Sequence, residues 1–144
     1  PTHATSDQDW AENRLGKNRM KGAYAYRSLY NQFGMLALGT DFPVEEINPF
    51  LTLRAAVLRM DKNDFPNNGF LREESLDLNT ALKGMTTWPQ FASFSESERG
   101  MLIQGMEATF FVCAKPFNET SIPVKNGSTV TYIRGRKVYE AAVY

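Results

Sequence analysis

The chain has 144 residues, with 16 basic and 16 acidic side chains and a formal net charge of zero. That length suits one domain burying about two thirds of its unfolded surface, and it falls short of the about 250 residues an eight-stranded α/β barrel requires. Balanced charge gives no electrostatic reason for nucleic acid or an anionic membrane as partner, and no apolar run approaches the about 20 residues of a bilayer span. The single cysteine, Cys113, cannot form an internal disulfide and, flanked by Phe110, Phe111 and Val112, reads as a small buried hydrophobe.

Taken in order, residues 1–21 are polar and lack a sustained period, so they read as a long loop with one helical turn at most. His3, the only histidine, lies in it. As a bare residue it is a solvated loop histidine, and its solitude argues against a transition-metal site built within this chain alone. Gly22 to Phe33 carries Tyr26, Leu29, Tyr30 and Phe33 at helical spacing and predicts an amphipathic helix closed by Gly34. Met35, Leu36, Ala37 and Leu38 follow as an unbroken apolar run, which predicts a strand buried on both faces of a parallel sheet.

Gly39 ends that run, and Thr40 and Asp41 stand where the strand would open into a loop before Pro43 stops it. A carboxylate just past the carboxyl end of a barrel strand lies on the face where barrel enzymes carry their chemistry. A capped turn is the alternative use of Asp41, because aspartate commonly bonds to backbone two residues on. Further on, Asn48 and Pro49 predict the start of a helix to Met60, and 61–71 is a turn-rich loop. Helices are then expected over Glu73 to Met85 and from Trp88-Pro89 to Phe94. Near Arg99 the pattern changes to short strands: Glu107 to Ala114, Ser128 to Ile133, and a partner from Lys137 after a turn at 134–136.

The ordered set PTHATSD at 1–7, AYAYRSL at 23–29, LGTDFPVE at 38–45, NPF at 48–50 and ERGMLIQGMEATFFV at 98–112 resembles the carboxyl-terminal part of the metal-dependent amidohydrolase superfamily. The branch it resembles is amidohydrolase family 3, which includes the N-substituted formamide deformylases. The resemblance implies an α/β fold: the last strands and helices of a TIM barrel over 1–98, then over 99–144 part of a small β-sandwich domain. Met35 to Gly39 would be strand eight, and Pro1 to Thr5 would follow strand seven.

By the same resemblance Asp41 matches the aspartate that ligates a metal and serves as general base, and His3 a histidine contacting substrate. A divalent metal ion, zinc, is the implied cofactor, and a small molecule with an amide or other non-peptide C-N bond the implied substrate. The family's His-x-His pair, its carboxylated lysine or equivalent and two further histidines have no counterpart here, so the expectation is a carboxyl-terminal fragment inactive by itself. The start at Pro1, and not at Met, agrees with an excerpt. Ala108-Thr109 departs from the family's Ala-Asp, a change bearing on local hairpin structure. An incomplete barrel would also leave apolar edges uncovered and so self-associate. The competing reading is a non-catalytic α+β binding or interaction module. Substrate and compartment are beyond reach of the sequence.

Overall fold

In the computed structural model, residues 1–125 and 128–141 are described. The helices are α1 (Thr2–Ser6), α2 (Ala11–Leu15), α3 (Lys17–Met20), α4 (Tyr26–Phe33), α5 (Pro49–Leu58), α6 (Leu78–Met85) and α7 (Thr87–Ala92), with a 3-10 turn at Arg72–Glu74. Three strands follow: β1 (Phe110–Cys113), β2 (Ser128–Ile133) and β3 (Arg136–Glu140).

The fold is built on α5. Asn48 begins it, accepting the Phe50 N–H on its side-chain oxygen at 3.1 Å, and Pro49 occupies the first turn where a missing N–H costs nothing. Phe50, Leu53, Ala55, Ala56 and Val57 are all buried, together with Thr52 and Arg54. A helix apolar nearly all round must be covered nearly all round. Accordingly α6 packs on one side and α1 on another, while Phe117 meets Phe50 edge-to-face at 5.8 Å. The core joins Leu53, Ala56 and Val57 of α5 to Leu38, Leu76, Ala81 and Ile122, with Tyr26 and Tyr30 of α4 against it. Each such aliphatic side chain contributes about 1.5–3 kcal/mol by burial. Arg54 is also buried, and it is satisfied by the carbonyls of Asp61 and Ile122 and by the Asp64 carboxylate.

Several elements match the sequence expectations and several do not. α4 ends at Gly34, whose left-handed φ of 80° lets its N–H reach the Tyr30 carbonyl at 2.7 Å. The segment Met35 to Gly39 departs from the prediction, for it belongs to no ladder among the described residues. A strand needs a neighbouring strand, and what lies beside this one is a helix: the Leu38 N–H donates to the Gly84 carbonyl of α6 at 2.8 Å. Only Leu38 of the apolar four is buried; Met35 and Leu36 are half-buried and Ala37 is exposed.

Residues 1–21 carry three short helices in place of the expected loop. Each closes within one turn or so, too short for periodicity to register. The helix expected from Glu73 starts only at Leu78, because Asp77 caps it: its two carboxylate oxygens accept the Thr80 N–H at 2.9 Å and the Thr80 hydroxyl at 2.6 Å. Cys113 is half-buried, not enclosed, and its burial still raises its thiol pKa.

β1, β2 and β3 form an antiparallel sheet in that order, with Phe110 opposite Tyr132 and their rings stacked at 4.9 Å. Phe111 turns to the ring of Phe50 at 5.8 Å and so ties the sheet to α5. The described residues therefore make a mixed α/β arrangement with one small three-stranded antiparallel sheet, and neither barrel staves nor a second sheet is seen among them.

Two stability predictions follow from these contacts. A Cβ on Gly84 would lie 2.8 Å from the Leu38 side chain and 2.9 Å from the Leu36 carbonyl oxygen, which is backbone and cannot yield. Gly84→Ala gains about 1 kcal/mol of helix propensity but forces overpacking of about 1–3 kcal/mol, so urea titration is expected to show a net loss. For Asp77, the hydrogen bond from the Thr80 hydroxyl lowers the carboxyl pKa, opposed by burial and reinforced by the Thr80 N–H. A depressed folded-state value means its stabilisation is complete above the unfolded carboxyl pKa and is lost as pH falls through the folded one. Asp77→Ala is thus expected to cost about 1 kcal/mol at pH 6, and that penalty to shrink below about pH 4 in denaturant titrations across pH.

Candidate functional site

The site forms where α1 meets the turn after Gly39. Thr2, Ala4 and Thr5 of α1 are buried, and this helix packs on α5. His3 and Ser6, three residues apart and hence neighbours on a helix surface, face the turn. The far end of α1 is tied down through Asp7, whose N–H donates to the His3 carbonyl at 2.9 Å and whose carboxylate accepts the Tyr24 hydroxyl at 2.8 Å. Burial, followed by that bond and the Asp7 charge, pushes the Tyr24 phenol up to about 12, so it stays a donor at any physiological pH.

Tyr24 is held in turn by Arg59, which donates to its carbonyl at 3.3 Å and to that of Phe70 at 2.8 Å. The Arg59 guanidinium is fully buried and lies 5.1 Å from the centre of the Tyr26 ring, a cation–π contact. Burial lowers its pKa, opposed by Tyr26 and by Glu74 and Glu73. Carbonyl dipoles and a ring face thus replace a bonded carboxylate partner here.

Asp41 sits at φ 54°, in the left-handed region that aspartate tolerates better than most residues. Its carbonyl, not its side chain, closes the turn, accepting the N–H groups of Val44 at 2.9 Å and Glu45 at 3.3 Å. The Phe42 N–H goes to the Thr40 hydroxyl at 3.3 Å. With the turn satisfied in this way, the Asp41 carboxylate is left for another use. Its Oδ2 lies 3.1 Å from Nε2 of His3, with the two side chains 60% and 43% exposed. A second carboxylate approaches the same nitrogen: Glu45 Oε1 is 4.0 Å from it and only 17% exposed, and it accepts the Ser6 hydroxyl at 2.6 Å.

Ser6 and Glu45 also border a cleft of about 270 Å³, completed by Thr2 and Thr5 on one side and by Met60 and Lys62 on the other. Lys62 is paired with Glu46 at 2.7 Å. A carboxylate beside an imidazole at the rim of a cleft can take up and pass on a proton. Among the described residues no three His, Cys, Asp or Glu side chains converge as a metal cage. The chain's own residues do not fit a complete metal centre, and Asp41 could supply one ligand of it.

The two residues singled out in the sequence, His3 and Asp41, are therefore neighbours, brought together from either end of a 39-residue span. Ser6 and Glu45 escaped sequence reasoning. Their signal was the spacing of three between His3 and Ser6, which acquires meaning only once 2–6 is known to be helical.

Comparison with known proteins gives the following. The amidohydrolase family profile matches residues 1–139. The chain is 31% identical over 146 residues to "Putative amidohydrolase YtcJ" of Bacillus subtilis (strain 168), covering 97% of this chain and 27% of that protein. It is also 31% identical over 141 residues to "Protein LONG AFTER FAR-RED 3" of Arabidopsis thaliana, covering 96% of this chain and 24% of that protein. The chain thus spans about a quarter of the length of these curated relatives. No solved structure matches it at a significant level.

Proposed function

The chain belongs to the amidohydrolase family, and on that premise we propose that it is the carboxyl-terminal part of a metal-dependent hydrolase that cleaves amide or other non-peptide C-N bonds, with N-substituted formamides the substrate class. In this reading 1–98 completes a barrel and 99–144 contributes strands to a small β domain. Met35 to Gly39 is then a barrel stave awaiting neighbours. The observation that supports the proposal is the pairing of Asp41 with His3 on adjoining segments.

Asp41 acts as the base and as a metal ligand. When bound, a divalent ion such as zinc supplies an acidified water. The remaining steps belong to this chain's own groups. The Asp41 carboxylate, its turn already closed by backbone, takes a proton from the attacking water and returns it to the departing amine nitrogen. His3, at 3.1 Å, orients that carboxylate and contacts the substrate. The other ligands come from elsewhere in the complete protein.

The test uses the complete protein carrying this chain, assayed on an N-formylated amine. Asp41→Asn, whose side chain tolerates the same backbone, is expected to lower kcat by about 10²–10⁴-fold, the usual contribution of a positioned base. A variant with unchanged kcat removes Asp41 from the chemistry. The 144-residue chain by itself is expected to show no turnover and substoichiometric zinc by plasma mass spectrometry; tightly bound stoichiometric zinc contradicts the division of ligands. We further propose self-association of the isolated chain, since Phe33, Phe42, Val44 and Ile47 are exposed on either side of the unpaired Met35 to Gly39. Sedimentation velocity is expected to show species heavier than a monomer, and a compact monomer at all concentrations rejects this.

A further inference from the structure

We propose that Glu45, held by the Ser6 hydroxyl, is a positioning residue for His3: a second carboxylate that keeps the imidazole directed into the site while Asp41 is engaged in the reaction. The inference rests on the reading of Asp41 as the reacting carboxylate. A carboxylate that accepts a proton from water cannot keep holding a neighbouring imidazole with full charge. Some other group must fix His3 during that step.

Geometry singles out Glu45 for this. Its Oε1 is 4.0 Å from Nε2 of His3, so a small rotation of the ring exchanges one carboxylate for the other. The same oxygen accepts the Ser6 hydroxyl at 2.6 Å, and a carboxylate oxygen has a second lone pair to offer. Ser6 lies on the helix that carries His3, one turn away on the same face. The hydroxyl therefore ties the Glu45 carboxylate directly to α1, the helix that carries His3. Glu45 is also much the more sheltered of the two, 17% exposed against 60%, so solvent screens its field less. Lys62, the basic side chain lining the cleft, is paired with Glu46 and not with Glu45.

The test exploits the fact that His3 is the only histidine of the chain. Carbon relaxation at its ring Cε1 reports how rigidly the imidazole is held, and NOEs from the ring protons to the Glu45 methylenes report which carboxylate it faces. Asp41→Gly removes the first carboxylate and keeps a residue that adopts positive φ without strain. In that variant the ring is expected to stay ordered, with an order parameter of about 0.8, and its NOEs to Glu45 to strengthen. Adding Ser6→Ala or Glu45→Ala is expected to drop the order parameter below about 0.6, and Ser6→Thr, which keeps the hydroxyl, to restore it.

A ring already as mobile in Asp41→Gly as in the double variants overturns the proposal, as does a rigid ring with no NOE to Glu45. Amide spectra of α5 and α6 report whether each variant stays folded; should Asp41→Gly lose the fold, Ser6→Ala against Ser6→Thr in the otherwise unchanged chain decides, with equal ring order in the two overturning it. Ring order is read without turnover. Failure of the hydrolase reading, seen as an unchanged kcat in Asp41→Asn, is therefore a separate result from failure of this one.

Discussion

Everything in this molecule leans on the enclosure of α5. Its sequence, PFLTLRAAVL, has no polar stripe wide enough to face water, so the free energy of folding depends on other segments covering it. α6 covers it from one direction, the stretch around Ile122 from another, and α1 from a third. The site is a by-product of the last of these. His3 is placed because Thr2, Ala4 and Thr5 of its helix are buried, and Asp41 because Leu38, three residues earlier, is sunk in the same core.

The polar groups inside that enclosure follow one pattern. Arg54 and Arg59, at opposite ends of the lower half of α5 and just past it, are buried with their guanidinium groups against main-chain carbonyls. These carbonyls belong to connecting segments, at Asp61, Ile122, Phe70 and Tyr24. Charged donors to carbonyl oxygens are stronger than neutral ones, and leaving either guanidinium unmet in the interior would be costly. These connecting segments are thereby fastened to the one helix that has no choice but to be buried. Through Tyr24 and Asp7 the same fastening reaches the end of α1.

What the sequence disclosed and what it withheld divide along physical lines. Elements with a full period and a cap were legible: α4 closed by Gly34, α5 opened by Asn48-Pro49, and the β2–β3 hairpin. The start of α6 was misplaced because the capping strength of Asp77 outweighs the helical composition of 73–76. Helices of four or five residues in 1–21 leave too few turns for any periodicity to appear. Met35 to Leu38 reads as a strand from composition, yet pairing is a property of two segments, and here the Leu38 N–H meets a carbonyl of a helix. As for the site, motif resemblance pointed to His3 and Asp41 separately. Their proximity, and the roles of Ser6 and Glu45, depend on tertiary packing that no local pattern encodes.

In the proposed mechanism Asp41 satisfies two demands at once, and the second narrows what evolution can do with the first. Its main chain lies in a region that β-branched and most other side chains enter only at a cost of about 1–2 kcal/mol, while asparagine and glycine enter it readily. A lineage that gave up the chemistry but kept the architecture would therefore not wander freely through the genetic code at this codon. It would settle on asparagine or glycine, leaving a silent descendant recognisable by that one replacement after Gly39-Thr40.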